Sequence, residues 1–312
     1  MNSMSIIINK QKFNINQNPT HEIKIEPLII NYLNEYKEFR RLKTWQTERD
    51  KLNVWRRYLT DKKLYTFPLP ESLAIDFLTW RKNFRTFAPR TLNRDLLAMR
   101  RFFKYCIRKK IILENPFEHL TLYSVIEKPI RILSIQEINI IEKYLYENNF
   151  SLYQIFITLV RTGLRSGELC KLKKEDIIDN MIYIQPANSK NKKERWIPIL
   201  PKVKMILINL MDGKASTALL FQTKNKTPQT QSNIIRRFRT VLNKLENMGL
   251  LRNTKTINIH TLRKTFISHA LMHDVPLVKV MSMAGHHDYR TTERYLYLNH
   301  KSLLTLGNFL PF

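Results

Sequence analysis

Along most of this chain apolar residues recur every third or fourth position, the period of helices that bury one face. From Pro27 the stripe runs Leu28, Tyr32, Leu33, Tyr36, Phe39, and a second helix is predicted from about Thr44 to Leu59 with Leu52, Trp55 and Leu59 inward. A third is predicted from about Glu71 to Lys82, before a break at Ala88-Pro89, and a fourth from Arg90 to Lys109. On the fourth, Leu92, Leu96, Met99, Phe103 and Cys106 share one face, while Arg90, Arg94, Arg101, Lys104 and Arg108 share the opposite one. Asn115-Pro116-Phe117 ends this unit, and Leu120 to Arg131 reads as a linker. Ser134-Ile-Gln-Glu137 is a capping box that opens a second unit. A period of two occurs only in Met181–Ile184 and Trp196–Ile199, short strands around a polar, lysine-rich turn. Two helices around a polar loop follow over residues 202–250. Near the end, Asp274-Val-Pro276 reads as a helix start, Leu277 to Ala284 as helix, and Gly285 as its left-handed cap. The expected fold is mainly α with a small β-sheet, an α+β second domain behind a helical first one. The boundaries are an arm over 1–25, a helical domain over 26–119, a linker over 120–132 and a second domain over 133–312.

Charge narrows the class of partner. Lys and Arg total 53 against 26 Asp and Glu, a net +27 in 312 residues, so a polyanion is the expected partner. A hydrophobic share of 43% is too high for a disordered polycation. A genome rich in A and T would explain the lysine and asparagine, but not the scarcity of acids. On the fourth helix the basic face has almost no acid interleaved, which fits contact with DNA phosphates better than simple solvation. The two cysteines, Cys106 and Cys170, fall in predicted helices and offer no disulfide framework, so a reducing, cytoplasmic setting is expected. The first residues lack the apolar run and small-residue cleavage site of a signal peptide, and no apolar stretch has the length of a membrane span.

Candidate chemistry is densest from His260 to Tyr295, which holds five of the eight histidines. His260 and Arg263 are spaced to leave the same face of a helix. Gly285 delivers His286 at the end of the next one, and Thr291 or Thr292 caps a further helix carrying Tyr295. Upstream, Arg165 and Glu168 in Thr162-Gly-Leu-Arg-Ser-Gly-Glu-Leu169 are one turn apart, so the carboxylate can orient the guanidinium. His269 and His273 are two possible ligands, short of the three or four zinc usually takes. No glycine-rich phosphate loop is present, so ATP is not implied.

The ordered set HTLR, AGHH and then a tyrosine nine residues after His286 resembles the C-terminal signature of the tyrosine recombinases, the phage-integrase and Xer family. TGLRSGEL is similar to the family's first arginine motif, and four short helices closing at Asn-Pro resemble its core-binding domain. The resemblance implies a C-shaped, two-domain clamp on double-stranded DNA. It implies Arg165, His260 and Arg263 on the scissile phosphate, Glu168 supporting Arg165, His286 beside them and Tyr295 as nucleophile. Aligning Lys193-Glu194-Arg195 with the family's K-x-x-K-E-R run implies Lys190 as general acid, though Ser-Lys-Asn stands where the family has Gly-Lys-Gly. His287 and Tyr297 remain alternatives to His286 and Tyr295. The implied activity is site-specific recombination through a 3′-phosphotyrosyl bond and a Holliday junction, with a tetramer on DNA formed from monomers. A type IB-like topoisomerase and an inactive DNA-binding protein on the same fold stay open as alternatives. The apolar tail after Tyr295 would pack on its own domain or on a neighbouring subunit.

Overall fold

Helix α1 (Ile25–Glu38) begins where a two-residue strand, β1 (Ile23–Lys24), pairs antiparallel with β2 (Thr66–Phe67). A computed structural model describes residues 22–84, 86–126, 129–189 and 193–285. Helices α2 (Leu42–Asp61), α3 (Leu73–Phe84) and α4 (Pro89–Arg108) complete the first unit. The predicted apolar faces of α2 and α4 lie in its core, whereas on α1 Ile25, Ile29, Tyr32 and Leu33 are buried and Phe39, expected on that stripe, lies past the helix end and is 83% exposed. Aromatic rings dominate the core. Trp55, fully buried, stacks on Tyr58 and meets Phe77, Phe103 and Phe117 edge-on. Burying each such ring contributes roughly 1.5–3 kcal/mol. Two buried carboxylates tie the helices together. Asp95 of α4 pairs with Lys51 of α2 and Arg81 of α3, at 2.6 and 2.9 Å. Glu48 of α2 accepts the Tyr32 hydroxyl of α1 and the Arg101 guanidinium of α4.

The chain divides into two compact units between residues 127 and 128. Leu120 and Tyr123, within the expected linker, pack on the first unit's core, whereas Ile130 packs on the second unit. In the second unit α5 (Ile135–Asn148) opens with the predicted Ser134–Glu137 capping box. Helix α6 (Phe150–Thr162) follows and is apolar nearly all round, as a central helix must be. Gly163 ends it in the left-handed region (φ 65°), and a Cβ there would lie 2.4 Å from the Phe266 ring. The short helix α7 (Ser166–Leu169) comes next, so the arginine motif is a turn between two helices.

Three strands, β3 (Ile177–Ile178), β4 (Met181–Ile184) and β5 (Arg195–Pro198), form an antiparallel sheet in that order. Ile184 faces Arg195 and Ile182 faces Ile197 across β4 and β5. Ile182, Ile184, Arg195 and Ile197 are all buried. Helices α8 (Pro201–Met211), α9 (Gln231–Asn247), α10 (Ile259–Met272) and α11 (Leu277–Ala284) close the unit. The start of α11 differs from expectation. Asp274 lies in the left-handed region at the end of α10 (φ 58°), and Pro276 holds the N-cap position. Gly285 does cap α11 in the left-handed region, as predicted. Cys170 sits just past α7, not inside a helix. Among the described residues no helix is long and apolar enough to cross a membrane.

Candidate active site

Three arginines from three elements converge on the C-terminus of α11. A helix end leaves carbonyls without partners, and the dipole makes them electronegative. Here Arg195 Nε donates to the Met283 oxygen at 2.9 Å, Arg263 to the Ala284 oxygen, and Arg165 Nη2 to the Gly285 oxygen at 3.3 Å. Three successive carbonyls are thus met by guanidinium groups from β5, α10 and the α6–α7 turn. Arg263 also donates to the Gly163 oxygen at 2.6 Å, the carbonyl of the residue that ends α6.

Glu168 is the second hub. Its Oε1 accepts from Arg165 Nη1 at 2.9 Å and Arg195 Nη1 at 3.1 Å. Its Oε2 accepts from the Arg165 backbone N–H at 2.8 Å and Arg195 Nη2 at 2.6 Å. The carboxylate is 3% exposed. Burial pushes it upward, but the Arg195 hydrogen bonds and charge, then the Arg165 N–H and charge, outweigh burial and hold it below the ordinary carboxylate range.

His260 occupies the first turn of α10, whose N-cap Asn258 accepts the backbone N–H groups of His260 and Thr261 at 2.9 and 3.2 Å. Its side chain is exposed, whereas Arg263, three residues on, is 2% exposed. The end of α11 therefore brings Arg165 and Arg263 together, and His260 precedes Arg263 by one turn of α10. Lys190, His286 and Tyr295 lie outside the described residues, as do His287, Tyr297, the capping threonines Thr291 and Thr292, and the apolar tail.

His269 Nε2 lies 3.0 Å from the Leu133 oxygen, and His273 is the C-cap of α10. No group of three or more metal-ligating side chains occurs among the described residues.

Charge on α4 is less free than its own sequence implied. Arg101 pairs with Glu48, 53 residues away, and Lys104 pairs with Glu118 at 3.0 Å. Arg108 lies over the Tyr105 ring, while Arg90 and Arg94 are exposed. The acids that interleave the basic face come from other elements, which a reading of one helix cannot see.

Arg195 is not among the residues expected at this site. Its signal was available: in Arg195-Trp-Ile-Pro198 the arginine shares the inward face with Ile197. A cation at an inward strand position needs a buried anion, and Glu168 supplies it.

Residues 131–302 match the sequence profile of the phage integrase family. A tyrosine recombinase of Pseudothermotoga lettingae is 29% identical over 211 residues, covering 67% of this chain and 70% of that protein. Among solved structures, the Tn1549 transposon integrase with circular intermediate DNA is similar with a TM-score of 0.71 and 19% identity, over 88% of this chain and 95% of that one. A lambda integrase tetramer bound to a Holliday junction is similar with a TM-score of 0.70 and 16% identity, over 85% of this chain and 78% of that one.

Proposed function

The chain belongs to the phage integrase family, and from that premise we propose that it is a site-specific recombinase that breaks and rejoins double-stranded DNA. One observation carries the reading. Arg165 and Arg263 reach adjacent carbonyls at the C-terminal end of α11, and the exposed His260 precedes Arg263 by one turn at the N-terminus of α10. Two guanidinium groups and a helix N-terminus suit a phosphodiester, on whose oxygens charge builds in the transition state.

In this reading the Tyr295 oxygen attacks phosphorus as the bond to the 5′ oxygen breaks, leaving a 3′-phosphotyrosyl linkage. Lys190 gives the departing oxygen its proton, and His260 and His286 donate to the phosphate or exchange the tyrosine proton. Attack by a 5′ hydroxyl from the other duplex reverses the step with exchanged strands. Because the linkage conserves the bond, the chemistry itself needs neither ATP nor a metal. Two duplexes have four strands to cut, so a tetramer on DNA is the natural assembly, and a similar tetramer is known for lambda integrase. Arg90, Arg94 and Arg108 are the phosphate-contact candidates of α4, with Arg101 and Lys104 held partly by their acids. Cys106 and Cys170 carry no disulfide, which suits the cytoplasm.

The test is a library of duplexes randomised around a single nick, which loses the leaving strand and traps covalent protein–DNA adduct. The unaltered chain should form adduct with a subset of sequences, and Tyr295→Phe should bind the same duplexes without forming any. Adduct that survives in Tyr295→Phe would move the nucleophile elsewhere. Exchanged junctions from paired duplexes would distinguish recombination from nicking and resealing of one strand.

A further inference from the structure

We propose that Arg195 is a positioning residue of this site, one that keeps the field at Arg165 positive as well as fixing its direction; this rests on the recombinase reading. Arg165 with Glu168 alone would be neutral, since the carboxylate that orients the guanidinium also cancels it. Arg195, itself buried, adds a second cation to the same carboxylate, and two cations on one anion leave the cluster with one net positive charge. In a water-poor site that remaining charge acts with little screening.

Arg195 grips both Glu168 oxygens in a fork, at 3.1 and 2.6 Å, so the carboxylate cannot turn without breaking it. The Glu168 oxygen that meets Arg165 Nη1 at 2.9 Å is therefore held by β5. The third Arg195 donor holds Met283 at 2.9 Å, which ties the same cation to the end of α11. Gly285 makes room for it: a Cβ there would lie 3.1 Å from Arg195 Cδ and 3.3 Å from Nε and Nη1. A lysine in place of Arg195 would keep the charge but could not bridge both oxygens and the carbonyl at once.

The test uses the duplex that the nicked library yields and a copy with a methylphosphonate at the scissile position. That copy lacks the phosphate charge the arginines neutralise. Arg195→Lys should slow adduct formation on phosphate on the order of 100-fold, the scale of a misaligned reacting group, with DNA affinity unchanged. Arg195→Met, which leaves the Arg165–Glu168 pair neutral, should also narrow the rate ratio between phosphate and methylphosphonate. The double variant Glu168→Gln with Arg195→Met restores one net positive charge and should regain that ratio, although slower than the unaltered chain. A role confined to holding the fold would slow both substrates alike and leave the ratio fixed, which overturns the proposal. So does an Arg195→Lys variant as fast as the unaltered chain. If Arg195→Met fails to fold, Arg195→Gln, which also removes the charge but keeps a polar side chain, takes its place, and a ratio unchanged there overturns the proposal. No adduct from the unaltered chain on any duplex would instead sink the recombinase reading itself, and this inference with it.

Discussion

Glu168 accepts four N–H donors from two arginines while almost fully buried. Glu168→Ala would leave Arg195 buried beside an empty partner position, which costs roughly 3–5 kcal/mol and should appear as a lowered urea midpoint. The sign of its pH dependence follows from the depressed carboxyl. A carboxyl held below its unfolded value contributes stability that is complete above that unfolded value and is lost as pH falls through the folded one. Stability measured from neutral pH downward should therefore fall less steeply in Glu168→Gln than in the unaltered chain. Equal slopes would mean that the site does not bind its proton as the geometry implies. The thiols invite a second measurement. Burial pushes Cys106 up to about 12 and Cys170 up to about 11, so both stay protonated near neutrality. Alkylation should be slow in the folded chain and rapid in urea, most of all at Cys106, which is fully buried.

Element ends do most of the positioning. Gly163 ends α6 in a backbone region other residues enter at a cost, lies against Phe266, and offers its carbonyl to Arg263. Gly163→Ala should destabilise the chain by roughly 1–3 kcal/mol and should also loosen Arg263. The N-cap of α10 is a milder case. Asn258→Ala should cost about 1 kcal/mol and shift the turn that carries His260, so thermal unfolding and adduct rate would both register it. At this scale much could be read from the pattern alone. Helices with an apolar period, the Ser134–Glu137 box and the Gly285 cap all rest on local rules, and each lies within a few residues of its expected place. The strands β1, β2 and β3 escaped because two residues carry no period. The capping role given to Asp274 failed because the residue closes α10 instead. Arg195 escaped for a different reason: a charged residue in a basic chain looks solvated until the fold shows the buried acid opposite.

As a whole the molecule is two units, each with its own core, carrying a net charge of +27. Binding through 6–10 phosphate contacts should lose about 10³–10⁵ in DNA affinity between 50 and 200 mM salt. A flat response in a filter-binding or fluorescence titration would remove phosphate contact as the basis of binding. The aromatic core of the first unit has an optical consequence. Three of the four tryptophans, Trp45, Trp55 and Trp80, belong to that unit, and Trp55 is wholly enclosed; the fourth, Trp196, is 42% exposed on β5. Emission is therefore a nearly private reporter of the first unit, blue when its rings are packed and red once they meet water. Backbone dichroism, which sums over both units, will follow a different course if they melt separately, and comparing the two signals in one titration reveals whether either half stands alone.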